Sequence, residues 1–286
     1  MEFIHDLLEY GFLQRAMFTA IIVGIISGVI GSFIILRGMA LMGDAISHAV
    51  LPGVAISYML SINFFYGAVF TGLLTALGIG YVSQNSRIKS DSSIGIVFTA
   101  AFALGIILII KAETAQDLTQ ILFGNVLSVS TRDMYLTLGI GIVVLLTVFL
   151  FYKELLISSF DETMAKVYGL PTKMIHYVIM TLLTLVTVAS LKTVGVVLVV
   201  AMLVTPAAAA YLLTNRLSRM IALASLFGTL SSIIGIYIGF QFNIQPGPLI
   251  VLVATGFFGL AFLFSPSEGV VWRRVREQQA KYANKN

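Results

Sequence analysis

AMFTAIIVGIISGVIGSFIIL, residues 16–36, contains no charged side chain. A helix needs about 20 mostly apolar residues to cross a hydrocarbon core about 30 Å thick. This stretch therefore reads as a membrane crossing. Working outward, runs of similar length and character recur at 39–60, 64–84, 92–111, 133–153, 174–191, 193–213, 219–241 and 247–265. The expectation is an all-α integral membrane protein with about nine crossings, or eight if one short segment is re-entrant. Runs 174–191 and 193–213 are separated only by Lys192 and Thr193, and Pro206 marks an expected helix break.

Composition supports the same reading. Hydrophobic residues make up 58% of the 286 positions and charged residues 10%, with a mean hydropathy of +1.00. A soluble domain needs about 25% charged residues to wet its surface, so membrane lipid is the expected surroundings. No linker or low-complexity tract divides residues 1–286, which read as one domain. The absence of cysteine excludes disulfides, thiolate metal sites and cysteine nucleophiles. Glu2, Asp6 and Glu9 stand where a signal peptide carries basic residues, so no cleaved signal is expected. Of the basic residues behind the net charge of +4, Arg273, Arg274, Arg276, Lys281 and Lys285 lie in the tail 266–286. That distribution gives no reason to expect nucleic acid, and a basic flank after the last crossing reads as cytoplasmic.

Counting back from the tail sets the orientation. The turn Gln245-Pro246-Gly247-Pro248 falls outside, Arg216 and Arg219 inside, and Lys192 outside. The Lys153–Lys173 segment falls inside, loop 112–132 outside, and Arg87, Lys89 and Arg37 inside, which leaves the N-terminus outside. Eight crossings would reverse that end.

The inner segment 154–172 holds a short helix of about two turns, with Asp161 as N-cap, Gly169 as C-terminal stop and Pro171 just beyond it. It is either an ordinary interfacial helix or a docking element, whose small Ala165 and Gly169 would let a partner's groove approach.

Charged residues inside crossings are costly and mark function by default. Asp44 and His48 stand out, four residues apart and so on one helix face. Starting from Met39 at the inner surface, His48 would lie about 13 Å deep. Carboxylate with imidazole is a half-site for Mn²⁺, Fe²⁺ or Zn²⁺, and a two-fold dimer would supply four ligands. The pair can equally handle protons, or simply cap the helix. Met39 and Met42 are too few for a copper site, His176 sits at a helix start, His5 reads as solvated, and Glu113 and Asp117 fall in an outer loop. No Gly-x-x-x-x-Gly-Lys-[Ser/Thr] loop occurs, so the chain is not expected to hydrolyse ATP, nor to be an enzyme.

Several stretches together resemble a known family: residues 37–53 (RGMALMGDAISHAVLPG), 91–96 (DSSIGI), 122–127 (LFGNVL), 195–199 (GVVLV), 203–210 (LVTPAAAA) and 245–248 (QPGP). From Phe33 to Phe264 the chain is similar to the membrane permeases of manganese, zinc and iron ABC importers. The resemblance implies a type II ABC importer permease fold in a bacterial cell membrane, working as a homodimer. It also implies a cytoplasmic ABC ATPase dimer and an extracellular lipoprotein or periplasmic protein that delivers the metal. Asp44 and His48 match the family's metal-coordinating Asp and His. Phe160, Asp161, Glu162, Ala165, Gly169, Leu170 and Pro171 match its ATPase-coupling helix. Val50-Leu51-Pro52-Gly53 looks more like manganese and iron members, giving the order manganese, iron, zinc for the transported ion, with no permanently bound cofactor. The alternative from another class is a proton-coupled secondary transporter of a metal or small solute.

Overall fold

The computed structural model describes residues 9–111, 124 and 126–265, with the isolated positions 5, 7 and 269. Loop residues Glu113 and Asp117, the acidic residues Glu2 and Asp6, and the basic residues of the tail lie outside them. The helices are α1 (Gly11–Leu36), α2 (Leu41–Ala49), α3 (Leu51–Met59), α4 (Phe64–Asn85), α5 (Ser90–Lys111) and α6 (Thr131–Leu150). They continue as α7 (Tyr152–Phe160), α8 (Glu162–Val167), α9 (Thr172–Val194), α10 (Val196–Leu213), α11 (Leu217–Phe242) and α12 (Pro246–Phe264). Among the described residues there is no strand. Eight of these helices, α1, α4, α5, α6, α9, α10, α11 and α12, are long and apolar enough to cross a membrane.

Polar contacts sort the helix ends onto two faces. On one, Arg37 after α1 reaches Ser158 and Ser159 in the last turn of α7 and His176 in the first turns of α9. The same cleft takes in Ser83 and Gln84 from the end of α4 and Ser90 from the start of α5. On the opposite face, Arg15 of α1 donates to the Val129 carbonyl and Gln245 donates to the Gly124 carbonyl. Asn63, Arg132 and Ala189 line one cavity there, and Phe12, Leu127 and Gln245 another.

These ends require a ninth crossing. α1 finishes on the Arg37 face and α4 begins on the Arg15 face, so α2 and α3 carry the chain between them. Their combined span, 41–59, is about 28 Å long at helical rise. The run 39–60 is thus a crossing broken near its middle. Pro52 supplies the reason: it has no N–H for the carbonyl of His48, four residues back.

Three boundaries differ from the sequence reading. The division between α9 and α10 falls at Gly195, not Lys192-Thr193, because Gly195 takes φ +81°, a conformation that glycine tolerates without penalty. Pro206 does not break α10, which runs through it; the surrounding bundle holds the turn despite the missing donor. The polar stretch after α6 forms two helices, α7 and α8, rather than one.

α1 is the axis of the bundle, with 78% of its apolar window buried, against 17% for α5. Small residues let α11 and α10 approach its backbone: a Cβ on Gly24 would lie 2.8 Å from the Gly228 carbonyl carbon, and one on Gly31 would collide with the Leu203 carbonyl oxygen. Membrane helices pack through such surfaces because lipid offers no hydrophobic drive. Hydroxyls add bonds across the same seam, from Ser232 to the Ala20 carbonyl at 3.1 Å and from Ser225 to that of Ile25 at 3.3 Å. The hydrophobic core thus sits around α1, and α5, α6 and α12 are peripheral.

Candidate functional site

The broken crossing carries the carboxylate–imidazole pair. Helical spacing stacks Asp44 and His48 on adjacent turns of α2, with Oδ1 and Nε2 3.5 Å apart. The other side of α2 is fixed in the core by Met42, Ala45, Ile46 and Ala49. Asp44 is therefore turned outward, its side chain 47% exposed, while His48 is 23% exposed. The His48 ring meets Phe102 edge-on at 5.5 Å and Phe98 at 6.0 Å, both from α5. Its Nδ1 is buried with no hydrogen-bond partner among the described residues.

One oxygen donor and one nitrogen donor suit Mn²⁺, Fe²⁺ or Zn²⁺. Among the described residues no group of three or more His, Asp or Glu side chains gathers to complete a site. A single chain presents this carboxylate and imidazole together, inside a crossing, where an exposed charged group is costly.

A second polar cluster was not apparent in the sequence. Arg37 donates from Nη2 to Ser158 at 2.8 Å and from Nε to Ser159 at 3.2 Å, and Nη1 lies 3.5 Å from His176 Nδ1. Burial pulls the Arg37 guanidinium down to about 10, opposed by the nearby Glu162 carboxylate, so it stays charged at neutral pH. These groups line a cleft of about 410 Å³ that also holds Met39 and Glu162. Arg37 was visible in the sequence only as a basic flank; its partners lie more than 120 positions away. His5 faces Glu9 at 3.4 Å and is exposed. Met42 is fully buried.

On the same face, α8 is built as the sequence predicts. The Asp161 carboxylate accepts the Met164 N–H at 2.9 Å, capping the first turn. The last turn closes with Leu170 N–H to the Ala165 carbonyl and Gly169 N–H to the Lys166 carbonyl, both 3.0 Å. That is a Schellman stop, and Gly169 takes φ +75° to make it. Glu162 pairs with Lys166 at 2.8 Å, and the Lys166 hydrogen bond holds its carboxyl below the usual glutamate range. Ala165 does not offer itself to a partner: it is fully buried, and Leu170 packs on the core. The outward surface is Phe160, Met164, Val167 and Tyr168, all at least half exposed.

A helical bundle of this kind, with one interrupted crossing and a short capped helix at one face, has the form of a multi-pass membrane permease. The chain belongs to the ABC 3 transport family, which it matches over residues 9–265. It is 62% identical over 277 residues to the manganese transport system membrane protein MntC of Listeria monocytogenes, covering 97% of this chain and 99% of that one. It is 50% identical over 275 residues to the manganese import system permease protein ScaB of Streptococcus gordonii, covering 96% and 99%. The solved structure of PsaBC from Streptococcus pneumoniae in complex with Fab superposes with a TM-score of 0.85 at 52% identity, covering 97% of this chain and 99% of that one.

Proposed function

We propose that this chain is the channel subunit of an ATP-driven importer of divalent transition metal ions, with manganese preferred, then iron, then zinc. The Asp44–His48 pair carries the reading: two ligands of suitable chemistry, 3.5 Å apart inside a broken crossing and turned outward from the chain. A second copy related by a two-fold axis doubles the ligands and covers the exposed carboxylate. The relatives named for manganese, at 62% and 50% identity, support manganese as the first choice.

In this account the Arg37 face is cytoplasmic. An ABC ATPase dimer docks there on α8, through Phe160, Met164, Val167 and Tyr168, with Asp161, Glu162, Gly169, Leu170 and Pro171 holding that helix in shape. An extracellular metal-binding lipoprotein or periplasmic protein delivers the ion to the Arg15 face. Closure of the ATPases shifts α8, and through the Arg37 cluster the start of α2, so that the site opens alternately to the two sides. A site with few ligands per chain can release as well as bind.

Proteoliposomes containing this chain with its ATPase and binding protein test the reading. Uptake of ⁵⁴Mn²⁺ should require ATP and be competed by Fe²⁺ more strongly than by Zn²⁺. Uptake driven by a pH gradient without ATP would instead establish proton-coupled secondary transport.

A further inference from the structure

Ile94, Phe98, Phe102 and Gly105 recur at helical spacing and form one stripe along α5, the least buried of the spanning helices. That stripe is the side α5 turns to the broken crossing. Phe98 and Phe102 meet the His48 ring and each other, their own centroids 5.8 Å apart. One turn on, a Cβ at Gly105 would lie 2.8 Å from the Leu51 Cβ and 2.9 Å from the Pro52 Cδ. A single helix therefore touches both the imidazole and the break that follows it.

Histidines that hold metals usually donate their second ring N–H to a carboxylate or carbonyl, which fixes the ring and raises its basicity. Among the described residues His48 has no such partner, since its Nδ1 is buried without a hydrogen bond. Apart from the Asp44 contact at Nε2, its orientation comes from packing. An edge-on contact with Phe102 and a tilted one with Phe98 supply that at modest energy.

We infer that Phe98 and Phe102 are positioning residues for transport: they aim His48 Nε2 toward Asp44 while withholding a hydrogen bond from Nδ1, and so keep the imidazole a well-placed but weak ligand. This rests on Asp44–His48 being the metal half-site. It makes α5, rather than a polar second layer of ligands, the element that sets metal affinity. A displacement of α5 along α2 would loosen the ring without any change in the ligands themselves.

The test uses the full complex in proteoliposomes with ⁵⁴Mn²⁺ as substrate. Phe102→Leu keeps apolar volume but removes the ring edge, and should raise KM for uptake about two- to tenfold with Vmax little changed. Phe102→Tyr keeps the ring and should restore KM. Phe98→Leu is the second variant should Phe102→Leu fail to assemble, with the same expected direction. An unchanged KM in both leucine variants, or a fall in Vmax at constant KM, overturns the inference. His48→Ala separates the two levels: lost uptake there with normal KM in the leucine variants rejects the aromatic clamp alone, whereas normal uptake in His48→Ala rejects the half-site itself.

Discussion

Arg37 donates to the Ser158 hydroxyl at 2.8 Å, tying the end of α1 to the end of α7 across 121 positions of sequence. Charge-assisted bonds of this kind are each worth about 1.5–3 kcal/mol. Arg37→Ala should lower the thermal unfolding midpoint of the purified chain in detergent. Arg37→Lys should recover only part of the loss, because an ammonium cannot reproduce the guanidinium fork that also reaches Ser159. An unchanged midpoint in Arg37→Ala would show that the cluster does not hold the two helices.

The α3–α4 contact is equally specific. Gly53 and Gly67 face each other so closely that a Cβ on either would collide with the other's carbonyl. Gly53→Ala should cost roughly 1–3 kcal/mol by forcing these helices apart. Size-exclusion profile and thermal midpoint are the measurements, and wild-type values for both would refute the close approach.

Asp161 and Gly169 define the two ends of α8. Removing the cap in Asp161→Ala should cost about 1 kcal/mol, and Gly169→Ala about 1–2 kcal/mol by placing a side chain at positive φ. Both changes act on a short helix outside the crossings. The expected result is a permease that folds normally but transports less metal per ATP hydrolysed; an unaltered ratio would count against α8 as the coupling element.

Val167 and Tyr168 are the most exposed apolar side chains of that helix region, at 78% and 70%. Val167→Asp or Tyr168→Asp should abolish co-purification of the ATPase while leaving the permease monodisperse. Retention of the ATPase by both variants would place its docking surface elsewhere.

Much of this organisation was legible in the sequence, for identifiable reasons. Apolar runs of bilayer length have few alternative structures, so the crossings and their order could be read directly. The cap at Asp161 and the stop at Gly169 are local signals, and both formed as read. Breaks were less legible. Pro52 interrupts a crossing whereas Pro206 does not; Gly53 follows the first proline and four alanines, the strongest helix formers, follow the second. The true break at Gly195 depends on one residue reaching positive φ. Asp44 and His48 stood out because charge is scarce within the runs. Ala165 was placed on the wrong side of α8, since a helix of under two turns carries too little periodicity to fix its buried face. The Arg37 cluster and the aromatic contacts to His48 join distant segments, which no local pattern records.

In the proposed function Asp44 and His48 carry the metal. ATP-dependent ⁵⁴Mn²⁺ uptake by the assembled complex, compared between wild type, Asp44→Ala and His48→Ala, tests it most directly. Both variants should assemble with the ATPase and lose uptake. Wild-type uptake by both would contradict it.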